Sequence, residues 1–168
     1  TFFIMDEGTD TGDIISQEII KIENDNAATL YNKIIDVALK QILAFSKKLQ
    51  KNEGNITRVI QDKNEGNTWR KRNRNDGKID FRMHSVSIVN LVKSLSRPYI
   101  GAHVDFMNEE IKIWEAKIEV SKHENLEPGK VLSIKNNEIL VKTYDGAVSL
   151  IEHEFKRNLK IGQYLWII

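Results

Sequence analysis

Near the start of the chain, Ile4-Met5-Asp6-Glu7-Gly8-Thr9-Asp10-Thr11-Gly12-Asp13-Ile14 sets four carboxylates and two glycines between apolar flanks. A carboxylate that is held in place is well suited to chemistry. The flanks, Thr1-Phe2-Phe3-Ile4-Met5 and Ile14-Ile15-Ser16-Gln17-Glu18-Ile19-Ile20-Lys21-Ile22, read as two strands. The acidic stretch is then the loop between them, and a strand end fixes whatever side chain it carries. Gly8 and Gly12 permit sharp turns and close approach of the backbone to a ligand. Two other readings stay open. One is a turn capped by its own Asp side chains. The other is a cation site, against which stands the lack of the Asp-x-Asp-x-Asp-Gly rhythm of a calcium loop.

A second stretch, Trp69-Arg70-Lys71-Arg72-Asn73-Arg74, is an aromatic followed by four cations in five positions. Arg holds phosphate oxygens in bidentate fashion, and Trp69 offers a face for stacking. A solvated linker with a packed aromatic, or a short nucleic-acid patch, fits the same residues. The four histidines, His84, His103, His123 and His153, lack paired metal spacing and read as surface or turn residues.

The elements that must position these groups are legible in the periodicity. After the cap candidates Glu23-Asn24-Asp25-Asn26, Leu30, Ile34, Val37 or Ala38, Ile42, Phe45 and Leu49 predict an amphipathic helix from about Ala27 to Leu49, packed on a sheet. Residues 50–67 read as loop with a short strand at Ile56-Thr57-Arg58-Val59-Ile60. A second helix starts at His84 or Ser85 and carries Val86, Ile88, Val89, Leu91, Val92 and Leu95 on its apolar side. The remainder reads as β, with turns at Asn108-Glu109, Pro128-Gly129, Asn136-Asn137 and Asp145-Gly146. Ile111 and Ile113 share one parity, and Trp114, Ala116, Ile118 and Val120 the other, which predicts a bulge. Short strands with close turns imply a small barrel.

A length of 168 residues fits one domain or two small ones. The net charge of +1 gives no global basic field for gripping nucleic acid. The chain has no cysteine, which excludes disulfides and thiolate metal sites and fits a cytoplasmic protein. No apolar run approaches the length of a membrane span, and no signal peptide is visible. The first residue, Thr1, opens inside a hydrophobic strand, so further sequence is expected upstream.

The acidic loop resembles the catalytic loop of formyltransferases that use N10-formyltetrahydrofolate. Their pattern is roughly Asp-x-Gly-x-Asp-x-Gly-x-Ile/Val, matched by Asp6, Gly8, Asp10, Gly12 and Ile14. The aromatic-basic run followed by Asp76-Gly77-Lys78-Ile79-Asp80 is similar to the segment joining the two domains of nucleotide-sugar N-formyltransferases. So is Ile88, Asn90, Leu91, Pro98, Tyr99, Gly101 and Ala102, with departures at Lys93, Ser94 and Ile100. Methionyl-tRNA formyltransferases share this pattern but tend to carry Trp where Tyr99 stands. Pro128-Gly129-x-Val131 and Thr143-x-Asp145-Gly146 resemble the C-terminal barrel of the same family.

The resemblance implies an α/β chain. Residues 1–67 would be the C-terminal end of a Rossmann-like formyltransferase domain, 68–98 a linker and connecting helix, and 99–168 a small OB-like β-barrel. It implies formyl transfer to a nucleotide-linked amino-dideoxy sugar, with N10-formyltetrahydrofolate as donor, no metal and no membrane partner. Asp10 would be catalytic, Gly8, Thr9, Asp10 and Gly12 would face the folate, and Trp69, Arg70, Lys71 and Arg72 the sugar nucleotide. A homodimer through the C-terminal part is compatible with the resemblance. One alternative is a methionyl-tRNA formyltransferase, against which stands the near charge balance of the barrel. Another is a non-catalytic OB-like binding module, against which stand the acidic loop and the lack of a stripe of stacking aromatics. The His and Asn that work beside the Asp in this family lie in an upstream Asn-x-His-Pro motif, which these residues do not contain. The isolated 168 residues are therefore expected to be inactive, and formyl transfer by them, followed with labelled donor, would refute this.

Overall fold

In the computed structural model residues 1–62, 64–121, 125–156 and 159–165 are described. They form two units: Thr1–Asn24 with Thr29–Lys71, and Asp25–Ala28 with Arg72 onward. The sequence reading divided the chain at 67/68 and 98/99.

In the first unit, β1 (Phe2–Phe3) and β2 (Ile14–Ser16) form a short antiparallel pair. Both are shorter than predicted, and Ile19 and Ile22 at the far end of the second run are exposed. Val59 adds a single antiparallel bridge to Ile14, with both N–H···O bonds at 2.8 Å. The predicted strand at residues 56–60 is reduced to that bridge. The long helix α1 spans Ala27–Lys51. It meets β1 through Phe2 and Phe45, ring centroids 5.2 Å apart, and β2 through Ser16 Oγ, which donates to Gln41 Oε1 at 2.6 Å. Of the stripe expected to be packed, Ile34 and Ile42 remain 44% and 38% exposed, with Leu39 and Leu43 also open. Length explains this: a helix of 25 residues extends about 1.5 Å per residue, far more than strands of two and three residues can cover. The Rossmann-like arrangement is not seen among the described residues, where this unit holds one two-stranded sheet and one helix.

The second unit is a five-stranded antiparallel sheet covered by helix α2 (Ser85–Leu95). Its strands are β3 (Ala102–Phe106), β4 (Glu109–Glu119), β5 (Val131–Lys135), β6 (Glu138–Lys142) and β7 (Ala147–His153), in spatial order β3-β4-β7-β6-β5. The parity switch in β4 appears as predicted: its register against β7 shifts on both sides of Glu115, so Ile111, Ile113 and Ala116 all reach the core. Two hairpins use two residues with positive φ, Met107-Asn108 and Asn136-Asn137, the geometry that matches strand twist. The first turn is thus one residue earlier than read.

The expected closed barrel is an open sheet among the described residues, and its two edges show why. The β3 edge is taken by Lys78–Ile79, whose Ile79 N–H donates to His103 O at 2.7 Å. The β5 edge is taken by residues 162–165, where Val131 N–H donates to Gln163 O at 2.8 Å. With these segments on their outer edges, β3 and β5 do not pair with each other among the described residues. Ile88 and Val92 of α2 pack with Val104, Ile113, Val141, Val148 and Leu150 into the core. Val86, placed on the apolar side by the sequence, is half exposed.

The start of α2 depends on a residue far along the chain. The N-cap residue His84 makes no side-chain cap bond. Instead Asp145 Oδ1 accepts from Ser85 N–H at 2.8 Å and from Ser85 Oγ at 2.9 Å. These donors, the backbone N–H foremost, hold the Asp145 carboxyl well below the usual carboxylate range. Asp145→Ala should cost about 1–2 kcal/mol of stability at neutral pH, as for loss of a cap. Because folding depresses this carboxyl, its contribution is full above the unfolded value of about 4 and fades as the pH falls below it. The check is denaturant unfolding of both proteins from pH 7 to pH 3. The difference should hold near neutrality and shrink in acid.

Candidate functional site

The acidic loop is built from backbone constraints. Ile4 N–H donates to Asp13 O at 2.9 Å and closes its base. Gly12 is buried there, and a Cβ on it would lie 1.7 Å from Ile4 O. Its φ is not positive, so the glycine serves close approach rather than an unusual conformation. Inside the loop, Asp6 Oδ1 accepts from Gly8 N–H at 3.0 Å and Thr11 Oγ1 at 2.7 Å. This is the capped turn weighed from the sequence, built by Asp6. It leaves Asp10 at the tip, exposed, with φ of 58°. No ion pair or side-chain hydrogen bond engages the Asp10 carboxylate among the described residues. Gly8 and Thr9 are exposed beside it.

The sequence reading missed Gln61, which it left inside a polar loop. Gln61 Nε2 donates to Asp10 O at 3.0 Å and to Gly12 O at 2.5 Å. A lone Gln after the short stretch Ile56-Thr57-Arg58-Val59-Ile60 carries no signal by itself. Only the Val59 bridge to Ile14 brings it to the loop.

Trp69, Arg70, Lys71 and Arg72 are exposed, Trp69 to 78%. Arg70 Nη1 donates to the Lys71 carbonyl at 3.4 Å. A cleft of about 330 Å³ in the first unit is lined by Ile14–Gln17, Lys48, Asn52, Ile56, Thr57 and Val59, and so by none of the predicted site residues. Trp69–Arg72 are thus displayed on the surface rather than built into that cavity.

The residues after the basic run are used internally. Asn73 caps a 3₁₀ turn at Arg74–Gly77, with Asp76 returning a bond to Asn73 N–H at 2.7 Å. Ile79 enters the core, and Asp80 pairs with Arg82. Arg74 bridges Asp105 and Glu110, Lys78 binds Asp105 at 2.9 Å, and Lys112 binds Glu110 at 2.5 Å. Lys78, then Arg74, holds the Asp105 carboxyl below its ordinary range, and Lys112, then Arg74, does the same for Glu110. Beneath them His103 is fully buried, not at the surface as read, and neither ring nitrogen has a partner among the described residues. Burial pushes its imidazole below the ordinary value. His103, Asp105 and Glu110 place donor atoms within 4.8 Å of one another. Three cations already sit on the two carboxylates, so the donor set lacks the excess negative charge a divalent ion needs. Of the other histidines, His84 precedes α2 and His153 ends β7, while His123 lies outside the described residues. No helix among the described residues is long and apolar enough to cross a membrane.

Comparison with known proteins gives three findings. Residues 71–166 match the family model described as formyl transferase, C-terminal domain. Methionyl-tRNA formyltransferase of Caldicellulosiruptor saccharolyticus is 33% identical over 164 residues, covering 96% of this chain and 51% of that protein. The enzyme of the same name from Clostridium acetobutylicum is 32% identical, covering 98% of this chain and 53% of its own length. The chain therefore spans about half the length of these relatives. Among solved structures, a HypX variant from Aquifex aeolicus aligns with a TM-score of 0.67 at 19% identity, over 90% of this chain and 27% of that one. HypX in complex with tetrahydrofolic acid aligns with a TM-score of 0.63 at 18% identity, over 90% of this chain and 26% of that one. At these identities the likeness is one of fold.

The loop geometry makes Gly12 the position least tolerant of a side chain. Gly12→Ala must push Ile4 O away and should destabilise the first unit by about 1–3 kcal/mol. Gly54→Ala, where a Cβ meets nothing within 4 Å but φ is 88°, should cost less. Urea unfolding of the two variants checks the order.

Proposed function

Because the chain belongs to the formyl transferase C-terminal domain family, we propose that the protein carrying it transfers a formyl group from N10-formyltetrahydrofolate to the amino group of methionyl-tRNA. The observation that carries this reading is the span of the likeness. Relatives named methionyl-tRNA formyltransferase align over 96–98% of the chain, so both the acidic loop and the antiparallel sheet are matched together. This moves the acceptor away from the nucleotide-linked amino sugar that the motifs favoured.

In the reaction the acceptor amine attacks the formyl carbon, a C–N bond forms, and the bond from that carbon to N10 breaks. The amine loses a proton and N10 gains one. Asp10, exposed at the loop tip, is the carboxylate of this chain suited to orient a protonatable partner and help that proton move. The Asn and His of the family pattern would come from residues outside this chain. Gly8, Thr9 and Gly12 shape the backbone on which the folate would lie. The exposed Trp69 and the cations Arg70, Lys71 and Arg72 suit a polyanionic acceptor, by stacking and by phosphate neutralisation.

The second reading, a nucleotide-linked amino sugar, rests on Tyr99 and on Asp76-Gly77-Lys78-Ile79-Asp80. Asp76, Ile79 and Asp80 are spent on a cap, the core and an ion pair, which any acceptor would leave unchanged. Tyr99, 54% exposed, is what remains in its favour.

The test uses the intact protein with labelled formyl donor and both acceptors. Methionyl-tRNA should be formylated, and Asp10→Asn should lower kcat/KM by about 10²–10⁴-fold. Replacing Arg70, Lys71 and Arg72 with alanine should raise the tRNA KM and flatten its salt dependence. An unchanged KM removes that stretch from acceptor binding. Formylation of an amino-sugar nucleotide with none of methionyl-tRNA would install the second reading.

A further inference from the structure

We propose that Gln61 is a positioning residue for Asp10, an inference that rests on the reading of Asp10 as the acting carboxylate. A primary amide offers two N–H donors from one nitrogen. Gln61 directs that nitrogen at two carbonyls of one loop, 3.0 Å from Asp10 O and 2.5 Å from Gly12 O. The residue it grips is the one whose side chain is to act.

The other ties of the loop do not do this. Asp6 Oδ1 holds the amide of Gly8 and the hydroxyl of Thr11, on either side of the tip. The Ile4–Asp13 bond closes the base. Asp10 itself sits at φ of 58°. Asp tolerates this left-handed conformation better than most residues, but it persists when the surroundings hold it. Among the described residues the hold on its own peptide comes from Gln61. Gln61 is in turn tethered two residues earlier, where Val59 and Ile14 exchange two bonds of 2.8 Å. The path from β2 to the tip therefore runs through the segment at residues 59–61 and back through one side-chain amide.

Without those two donors the Asp10 carbonyl turns to water, and its backbone is free to leave the left-handed region. The carboxylate then samples positions away from the one it must hold. A displacement on the order of 1 Å at a reacting group costs about 10²-fold in rate. Gln61 touches neither substrate nor reacting atoms in this account, so the loss should fall on kcat. Gln61→Glu is the sharper change at nearly constant volume. It deletes both donors and turns a carboxylate toward two carbonyl oxygens.

The experiment is steady-state kinetics and hydrogen–deuterium exchange on the intact protein, with methionyl-tRNA as acceptor. Wild type, Gln61→Ala, Gln61→Glu, Asp10→Asn and the double variant Gln61→Ala/Asp10→Asn are compared. The expected result is a kcat about tenfold lower for Gln61→Ala and lower still for Gln61→Glu. The KM for methionyl-tRNA should stay within about twofold, because a positioning loss is not a loss of acceptor binding. Exchange should rise in peptides covering residues 6–13 and stay unchanged in those covering β3–β7. Once Asp10 is gone, removing Gln61 should cost nothing more, the signature of residues acting as one unit. Wild-type kcat in both Gln61 variants, with loop exchange unchanged and Asp10→Asn strongly impaired, overturns the positioning role. A further loss in the double variant overturns it as well, since Gln61 would then act independently of Asp10. Wild-type kcat in Asp10→Asn overturns the reading of Asp10, and this inference with it.

Discussion

Backbone N–H and C=O groups that leave a sheet or a loop must find partners, and in this chain they find them in short segments rather than in further strands. Residues 78–79 serve the β3 edge, residues 162–165 the β5 edge, and Val59 the free side of β2. At the acidic loop a side-chain amide does the same for two carbonyls. The segments are one to four residues long, and two of them lie beside a residue of consequence. Beside the β3 strap, Arg74 and Lys78 neutralise Asp105 and Glu110 over a buried His103. Two residues past the β2 bridge comes Gln61.

This economy explains which parts of the chain the sequence exposed to view. Features that depend on a local period or a local turn were legible. The helix at Ala27, the break of parity between Ile113 and Ala116, and the Asn136-Asn137 turn all follow from residues within one element. The Asp6–Asp10–Gly12 spacing was legible for the same reason, and the family that it suggested is the one to which residues 71–166 belong. Features that depend on what crosses from elsewhere were not. The open sheet depends on segments that read as loop. The burial of His103 depends on the segment at residues 77–79 that crosses β3, with Gly77 close to its ring. The exposure of Ile34 and Ile42 depends on how little strand faces α1, which no helical period records.

The stretches whose resemblance suggested an acceptor class also serve the fold. Motifs that separate acceptor classes by resemblance need not touch the acceptor. Here Gly101, in a stretch that seemed to speak of specificity, is fixed by packing. Its φ is 80°, and a Cβ would meet the Trp114 ring at 3.0 Å. That ring is stacked under Arg97, whose guanidinium carbon lies 4.2 Å from its centroid. Such residues record how α2 is joined to β3. Trp69, by contrast, is 78% exposed.

The cap of α2 has a consequence for how the molecule is made. Ser85 and Asp145 are 60 residues apart, so at roughly 5–20 residues per second the helix leaves the ribosome some 3–12 s before its cap is synthesised. An 11-residue helix is marginal in water on its own. During that interval β3 and β4, the latter the strand the helix mainly lies against, are made, while the cap and β7 are still missing. Unit 2 therefore matures late, when the turn at residues 143–146 arrives, and translation speed over residues 85–145 sets how long the helix start waits for its cap.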